Sequence, residues 1–259
     1  LVEASLTGGA GGVEFGSLAL IAGFMYRDPA GAKSPLSGMV PGLDLSGALG
    51  GATGAMDDQR RFVVAHEVAH QWAPGLVAVD AWNHPVVDEP LAQYLAWRVV
   101  AHHHPEDAVA ARDQLIRAGY GLHRLLGGDD GPADRATSGF SSSLEYAALV
   151  YGKAPGFYFA LEDAVGRRTF DRALRAAVTE RAWTAASPDD WLAALEAGGA
   201  TGAVALGARW WREAHGDADL GLDPDGEVAL RWMLGEATAR QLEATLGPLG
   251  LSPAGLSRQ

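Results

Sequence analysis

Read for the spacing of its apolar positions, the chain opens with a short run of strand formers and is helical in pattern over most of its remaining length. Residues 13–26, VEFGSLALIAGFMY, lie between glycines on one side and Asp28-Pro29 on the other, which predicts one or two strands. Residues 28–54 carry seven glycines, three prolines and only three charged residues, the composition of a long loop. A helical pattern then starts at Asp57 or Asp58, either of which can cap it, and runs through Gln71 to a stop at Pro74-Gly75. The next helix is expected from Val87 to His103, with Asp88 and Glu89 in its first turn and Pro90 close to N1, where the missing N–H costs nothing. Further helices are expected over 107–126 and 142–165, on either side of the polar loop GGDDGPADRATSG, and over 168–181, 188–197, 201–215 and 226–246. The pattern thus gives a small β portion with its Gly/Pro-rich loop, residues 1–56, and a helical body, residues 57–259. Together they form one α+β domain that is mainly α-helical.

Composition narrows the partners. The 259 residues carry a formal charge of −12, with 32 acidic against 20 basic side chains, so no basic footprint for nucleic acid or an anionic membrane is available overall. The most apolar run, GSLALIAGFMY, is stopped by Arg27 and Asp28 well short of a membrane-spanning length. Cysteine is absent, which excludes disulfides, thiol catalysis and thiolate metal sites. The chain opens at Leu1 without a charged leader and reads as part of a longer protein.

The stretch VVAHEVAHQW, residues 63–72, concentrates the chemistry. Four residues apart on a helix, His66 and His70 share a face and can offer two nitrogens to one ion at about 2.0–2.1 Å, the usual zinc distance. Glu67 is rotated by about 100° from His66. From there it leans over a water beside the ion rather than chelating it, as in H-E-x-x-H sites. A catalytic zinc takes a third protein ligand and keeps one position open. His84, Asp88, Glu89 and His102-His103-His104 all lie downstream as candidates, and an antiparallel return after residues 73–86 would bring Glu89 back against the first helix. The triple histidine suits the end of the second helix, where cations favour the dipole.

The run from His66 to Trp72, the eighteen residues between His70 and Glu89, and the PLAQYLAW that comes after Glu89 resemble the gluzincin zinc metallopeptidases typified by aminopeptidase N. The resemblance implies a thermolysin-like catalytic domain holding one zinc ion through His66, His70 and Glu89, with Glu67 as general base and peptides as substrates. Asp88 stands where that family usually has asparagine and is assigned to the surroundings of the ligands. VYGKA, with Tyr151 and Lys153, is similar to the family's Tyr-x-Lys-Gly segment, which implies that Tyr151 hydrogen-bonds the oxyanion, with Tyr146 as the alternative. GGVEF resembles Gly-x-Met-Glu-Asn, which implies that Glu14 binds the substrate's free amino terminus while its strand pairs with the peptide. Val13 and Phe15 replace the methionine and asparagine of that motif.

The expected activity is therefore zinc-dependent removal of amino-terminal residues. The alternatives are a zinc endopeptidase or a non-catalytic, zinc-stabilised scaffold. Asp129, Asp130 and Asp134 lack the ordered spacing of a calcium loop and read as a solvated loop. Ser141, Ser142 and Ser143 read as a helix cap rather than a nucleophile. The tryptophans at 183, 191, 210, 211 and 232 read as core or interface packing, and any left exposed would favour homo-oligomers.

Overall fold

Three strands and then a succession of helices make up the computed structural model, which describes residues 1–6, 10–26, 52–222 and 226–246. The sheet has the order β1-β3-β2, from β1 (Val2–Ala4), β2 (Gly12–Phe15) and β3 (Leu18–Ala22). β1 runs parallel to β3, and β2 pairs antiparallel with it through the Gly16-Ser17 turn. Ala19, Ile21 and Ala22 bury the central strand, and β2 forms an edge among the described residues. Alternation along β2 puts Gly12 and Glu14 on the same face. The loop expected over 28–54 falls almost wholly outside the described residues.

α1 (Ala52–Ala69) begins ahead of the expected cap at Asp57. Its regular part ends at Ala69, because the last turn tightens: Gln71 N donates to Val68 O at 3.1 Å and Trp72 N to Ala69 O at 3.0 Å. His70 still donates its N–H to His66 O at 3.2 Å, so the two imidazoles keep their four-residue spacing. α2 (Glu89–His103) starts two residues later than the sequence pattern suggests, because the turn before it is closed by Glu89 N on Pro85 O at 3.2 Å. α1 packs most extensively on α2, and the pair is antiparallel. The carboxyl end of α1 meets Glu89, while Arg61, nearer the middle of α1, reaches His104 at the other end of α2 at 3.1 Å.

Elsewhere the expected helices exist but are broken. The 142–165 stretch is wound as a π-helix over Ala147–Lys153 and restarts after Pro155 as Gly156–Val165. The last expected helix splits at Gly235, which takes a φ of 76° between Glu227–Leu234 and Glu236–Leu246. A short helix at Gly216–Leu220 has no counterpart in the sequence pattern. Ser142 caps its helix as expected, accepting from Glu145 N at 3.1 Å.

The core gathers aromatic side chains from these helices, including Tyr94, Phe157, Tyr158, Phe170, Trp191 and Trp211, all fully buried. The indole N–H of Trp191 donates to Tyr158 Oη at 3.0 Å, so the polar tip is satisfied inside the core. Trp210 and Trp232 are also buried, whereas Trp183 is 83% exposed and does not join them. The acidic loop is less solvated than expected. Asp130 accepts from Lys153 Nζ at 2.8 Å, and Asp134 is held by His84 and Arg212. No helix among the described residues is long and apolar enough to cross a membrane.

Candidate metal centre and active site

The antiparallel packing of α1 on α2 brings three ligand atoms to one point. His66 Nε2 and His70 Nε2 are 3.0 Å apart, and Glu89 Oε2 lies 3.2 Å from the first and 3.4 Å from the second. Four ligands placed tetrahedrally at about 2.0–2.1 Å from a zinc ion are about 3.3–3.4 Å apart, so these separations fit one shared ion. Glu89 Oε2 is buried and has no hydrogen-bond partner among the described residues. Two imidazole nitrogens and a carboxylate oxygen converging in this way form a donor set that suits a metal cation.

The surroundings are rich in carboxylates. Glu14, Glu67, Asp88 and Glu89 crowd around two histidines, and the nearest atoms of Glu14, Glu67 and His70 all lie within 4.8 Å of one another. Burial opposes a charge on His70, but its hydrogen bond to Asp88 and the nearby Glu89 carboxylate outweigh that and raise its pKa to about 11. Burial likewise works against the Glu89 carboxylate, yet the two imidazoles hold its pKa well below the usual range. Asp88 Oδ1 sits 2.6 Å from His70 Nδ1, and Ala73 O lies 3.0 Å from the same nitrogen, so the donor direction of that imidazole is fixed and its Nε2 is turned toward Glu89.

Glu67 is 5% exposed, and its Oε2 has no partner among the described residues. Desolvation by burial raises its pKa from 4.5 to about 7, the range suited to a group that must accept and return a proton near neutrality. Gly12 permits this placement, because a Cβ there would collide with the Glu67 carboxyl group. Tyr151 comes from the π-helical turn, with its ring 6.0 Å from that of His66 and its phenol within reach of the Glu89 charge. Burial, and then the Glu89 charge, push the phenol well above its ordinary pKa, so it is a proton donor and not a phenolate. Tyr146, the alternative, packs edge-on against Tyr151 with ring centroids 5.7 Å apart.

All six candidate residues from the sequence therefore lie in one site: His66, Glu67, His70, Glu89, Tyr151 and Glu14. The triple histidine sits at the far end of α2, away from it. Sequence reasoning gave Gln71 no role beyond its place in the His66–Trp72 run. Its side-chain amide donates to Phe15 O at 3.1 Å and accepts from Ser17 N at 2.9 Å, clamping the β2–β3 turn to the end of α1. Through that clamp the strand bearing Glu14 is tied to the helix bearing Glu67. Its place beside His70 was the only hint that the sequence offered.

Comparison with known proteins agrees with this geometry. Residues 50–210 match the model of the peptidase family M1 domain. The chain is 28% identical to Aminopeptidase M1-A of Oryza sativa subsp. japonica over 153 residues, 58% of this chain and 17% of that protein. It is 32% identical to Leucine aminopeptidase 2 of Emericella nidulans over 124 residues, 42% of this chain and 18% of that protein. Aminopeptidase Q of Acinonyx jubatus is 26% identical over 137 residues, 50% of this chain and 13% of that protein. The chain thus spans less than a fifth of the length of these relatives. With the family model covering more than half of the chain, the protein belongs to peptidase family M1.

Proposed function

We propose that this chain hydrolyses the peptide bond next to a free amino terminus, with one zinc ion held by His66, His70 and Glu89. The observation that carries the reading is the convergence of those three ligand atoms within 3.4 Å of one another, with Glu67 and Glu14 beside them. Zinc, when bound, lowers the pKa of a water toward roughly 7 and polarises the scissile carbonyl. Glu67 takes the proton of the attacking water and delivers it to the leaving amine, because its unpartnered Oε2 is free to accept. Tyr151 donates a hydrogen bond to the oxyanion as charge develops there. Glu14 pairs with the ammonium group of the substrate, and the edge that β2 forms among the described residues offers backbone groups to the peptide.

The test is cleavage of a mixed peptide pool by the zinc-loaded protein, read by mass spectrometry, each peptide present with a free and with an acetylated amino terminus. Stepwise loss from free termini alone is the expected result. Internal cuts indifferent to acetylation would make the chain an endopeptidase and remove the role of Glu14. Glu67→Gln should abolish cleavage while zinc stays bound. Cleavage that persists in that variant overturns the mechanism, and no cleavage by either protein supports the scaffold reading.

A further inference from the structure

The face of α1 that turns away from His66 and His70 lines a depression. Val64 and Val68 are each two residues from His66, about 200° around the helix, so they point nearly opposite to it. With Trp72 they form an apolar stripe, and Val68 and Trp72 are 40% and 47% exposed. α2 contributes a matching stripe from Leu91, Leu95 and Val99 at four-residue spacing, and Val99 is 47% exposed. The helix Arg167–Arg181 supplies Leu174 and Val178 at the same spacing. Three helices thus turn one apolar stripe each into a groove of about 1170 Å³.

Its rim is basic. Arg60, Arg61, Arg98, Arg167 and Arg175 line it with Asp171 as the only carboxylate among the described lining residues, a formal +4 within a chain of −12. Arg98 is occupied by Asp171, and Arg60 and Arg61 hold half-exposed aspartates. Arg167 remains 59% exposed with only a 3.9 Å approach to Glu162, and Arg175 has no ion pair among the described residues. His102, His103 and His104 complete the rim at the end of α2.

We infer that this groove docks an acidic amphipathic α-helix, whose apolar face fills the floor while its carboxylates meet the arginine rim. Helix-in-groove recognition needs an apolar trough together with complementary flanking charge, and both are present. Two copies of the chain meeting through this face would set one basic rim against another, which disfavours a symmetric dimer here. The floor is apolar and concave, unlike the flat basic surfaces that suit phosphate backbones.

The probe is a fluorescein-labelled 18-residue peptide with leucines at i, i+3, i+4 and i+7 and glutamates on the flanking positions, titrated with the protein and read by anisotropy. Controls are the same peptide with lysine for every glutamate and a scrambled peptide of identical composition. The expected result is saturable, salt-sensitive binding of the acidic peptide, about tenfold or more tighter than either control. The double variant Arg167→Glu/Arg175→Glu should lose about tenfold in affinity. Both positions are exposed, and an unchanged circular-dichroism spectrum would show that the fold survives. Equal binding of the scrambled peptide, or unaltered affinity in the double variant, would overturn the proposal. So would concentration-dependent dimerisation abolished by Val68→Asp, or tighter binding to vesicles of anionic phospholipid than to the acidic peptide. None of these readouts uses peptidase activity, so the outcome is independent of the proposed chemistry.

Discussion

Lys153 tests how the turn that carries Tyr151 is held. Its side chain is fully buried, and Nζ donates to Asp130 Oδ1 at 2.8 Å, Gly131 O at 2.7 Å and Glu213 O at 2.7 Å. Three donors meet three acceptors, so the ammonium group is satisfied although burial depresses its pKa. Asp130 uses its second oxygen to accept from Gly216 N at 2.7 Å. One cation thereby fastens the π-helical turn, the 130–131 loop and the 213–216 segment. Lys153→Met leaves a buried carboxylate without its cation and two carbonyls without a donor, and removing one partner of a buried pair costs about 3–5 kcal/mol. At about 2–4 °C per kcal/mol for a domain of this size, the melting temperature should fall by about 6–20 °C. Adding Asp130→Asn removes the stranded charge while the amide oxygen can still accept from Gly216, and should recover part of the loss. Thermal melts of the metal-free protein followed by circular dichroism would measure both. A Lys153→Met melt within about 2 °C of the parent, below the shift expected for 1 kcal/mol, would refute the reasoning. A double variant no more stable than the single one would refute the stranded-charge account.

The other predictions concern the site itself. Glu67 has a folded pKa of about 7 against an ordinary 4.5, so below 4.5 it is protonated in both folded and unfolded chains. As pH rises from 4.5 to 7 the unfolded chain ionises first, and stability is lost across that window. Metal-free parent protein should therefore lose melting temperature relative to Glu67→Gln between those pH values, and parallel curves would contradict the burial effect. Asp88→Ala should weaken zinc binding by about 10–100-fold in a chelator competition, because His70 loses the carboxylate that orients it. Asp88→Asn, which keeps an acceptor, should lose less. Gln71→Ala removes both hydrogen bonds that clamp the β2–β3 turn. It should raise KM for free-amino-terminal peptides by about 5–10-fold, the equivalent of roughly 1–1.4 kcal/mol, with zinc affinity unchanged. An equal fall in kcat with KM constant would argue against a role through Glu14.

What the sequence made legible is what depends on local spacing. His66, Glu67 and His70 lie within one and a half turns of helix, so their relative directions follow from 100° per residue before any tertiary contact is known. Glu89 was one candidate among several until the resemblance singled it out, since nothing local says which downstream acid returns to α1. The helical body was readable in the same way, but its breaks were not. Pro155 and Gly235 are visible as breakers, yet whether a helix ends or continues through such a residue depends on what packs around it. The π-helical winding of Ala147–Lys153, which sets the direction of Tyr151, has no signature in apolar spacing.

The contacts that assemble the site are long-range, and for that reason were hidden. Gln71 reaches residues 56 and 54 positions away, and Gly12 makes room for Glu67 across a similar span of chain. A sequence read in windows sees the first as a polar residue after a metal-binding motif and the second as a loop glycine. The two act on the same boundary from opposite sides. The glycine lets the strand approach until Glu14 stands beside Glu67, and the amide stops the strand from sliding along the helix. The turn between β2 and β3 is tight, and its tip, Ser17, takes a φ of 64°. Placement of Glu14 beside Glu67 therefore rests on one absent side chain and one amide.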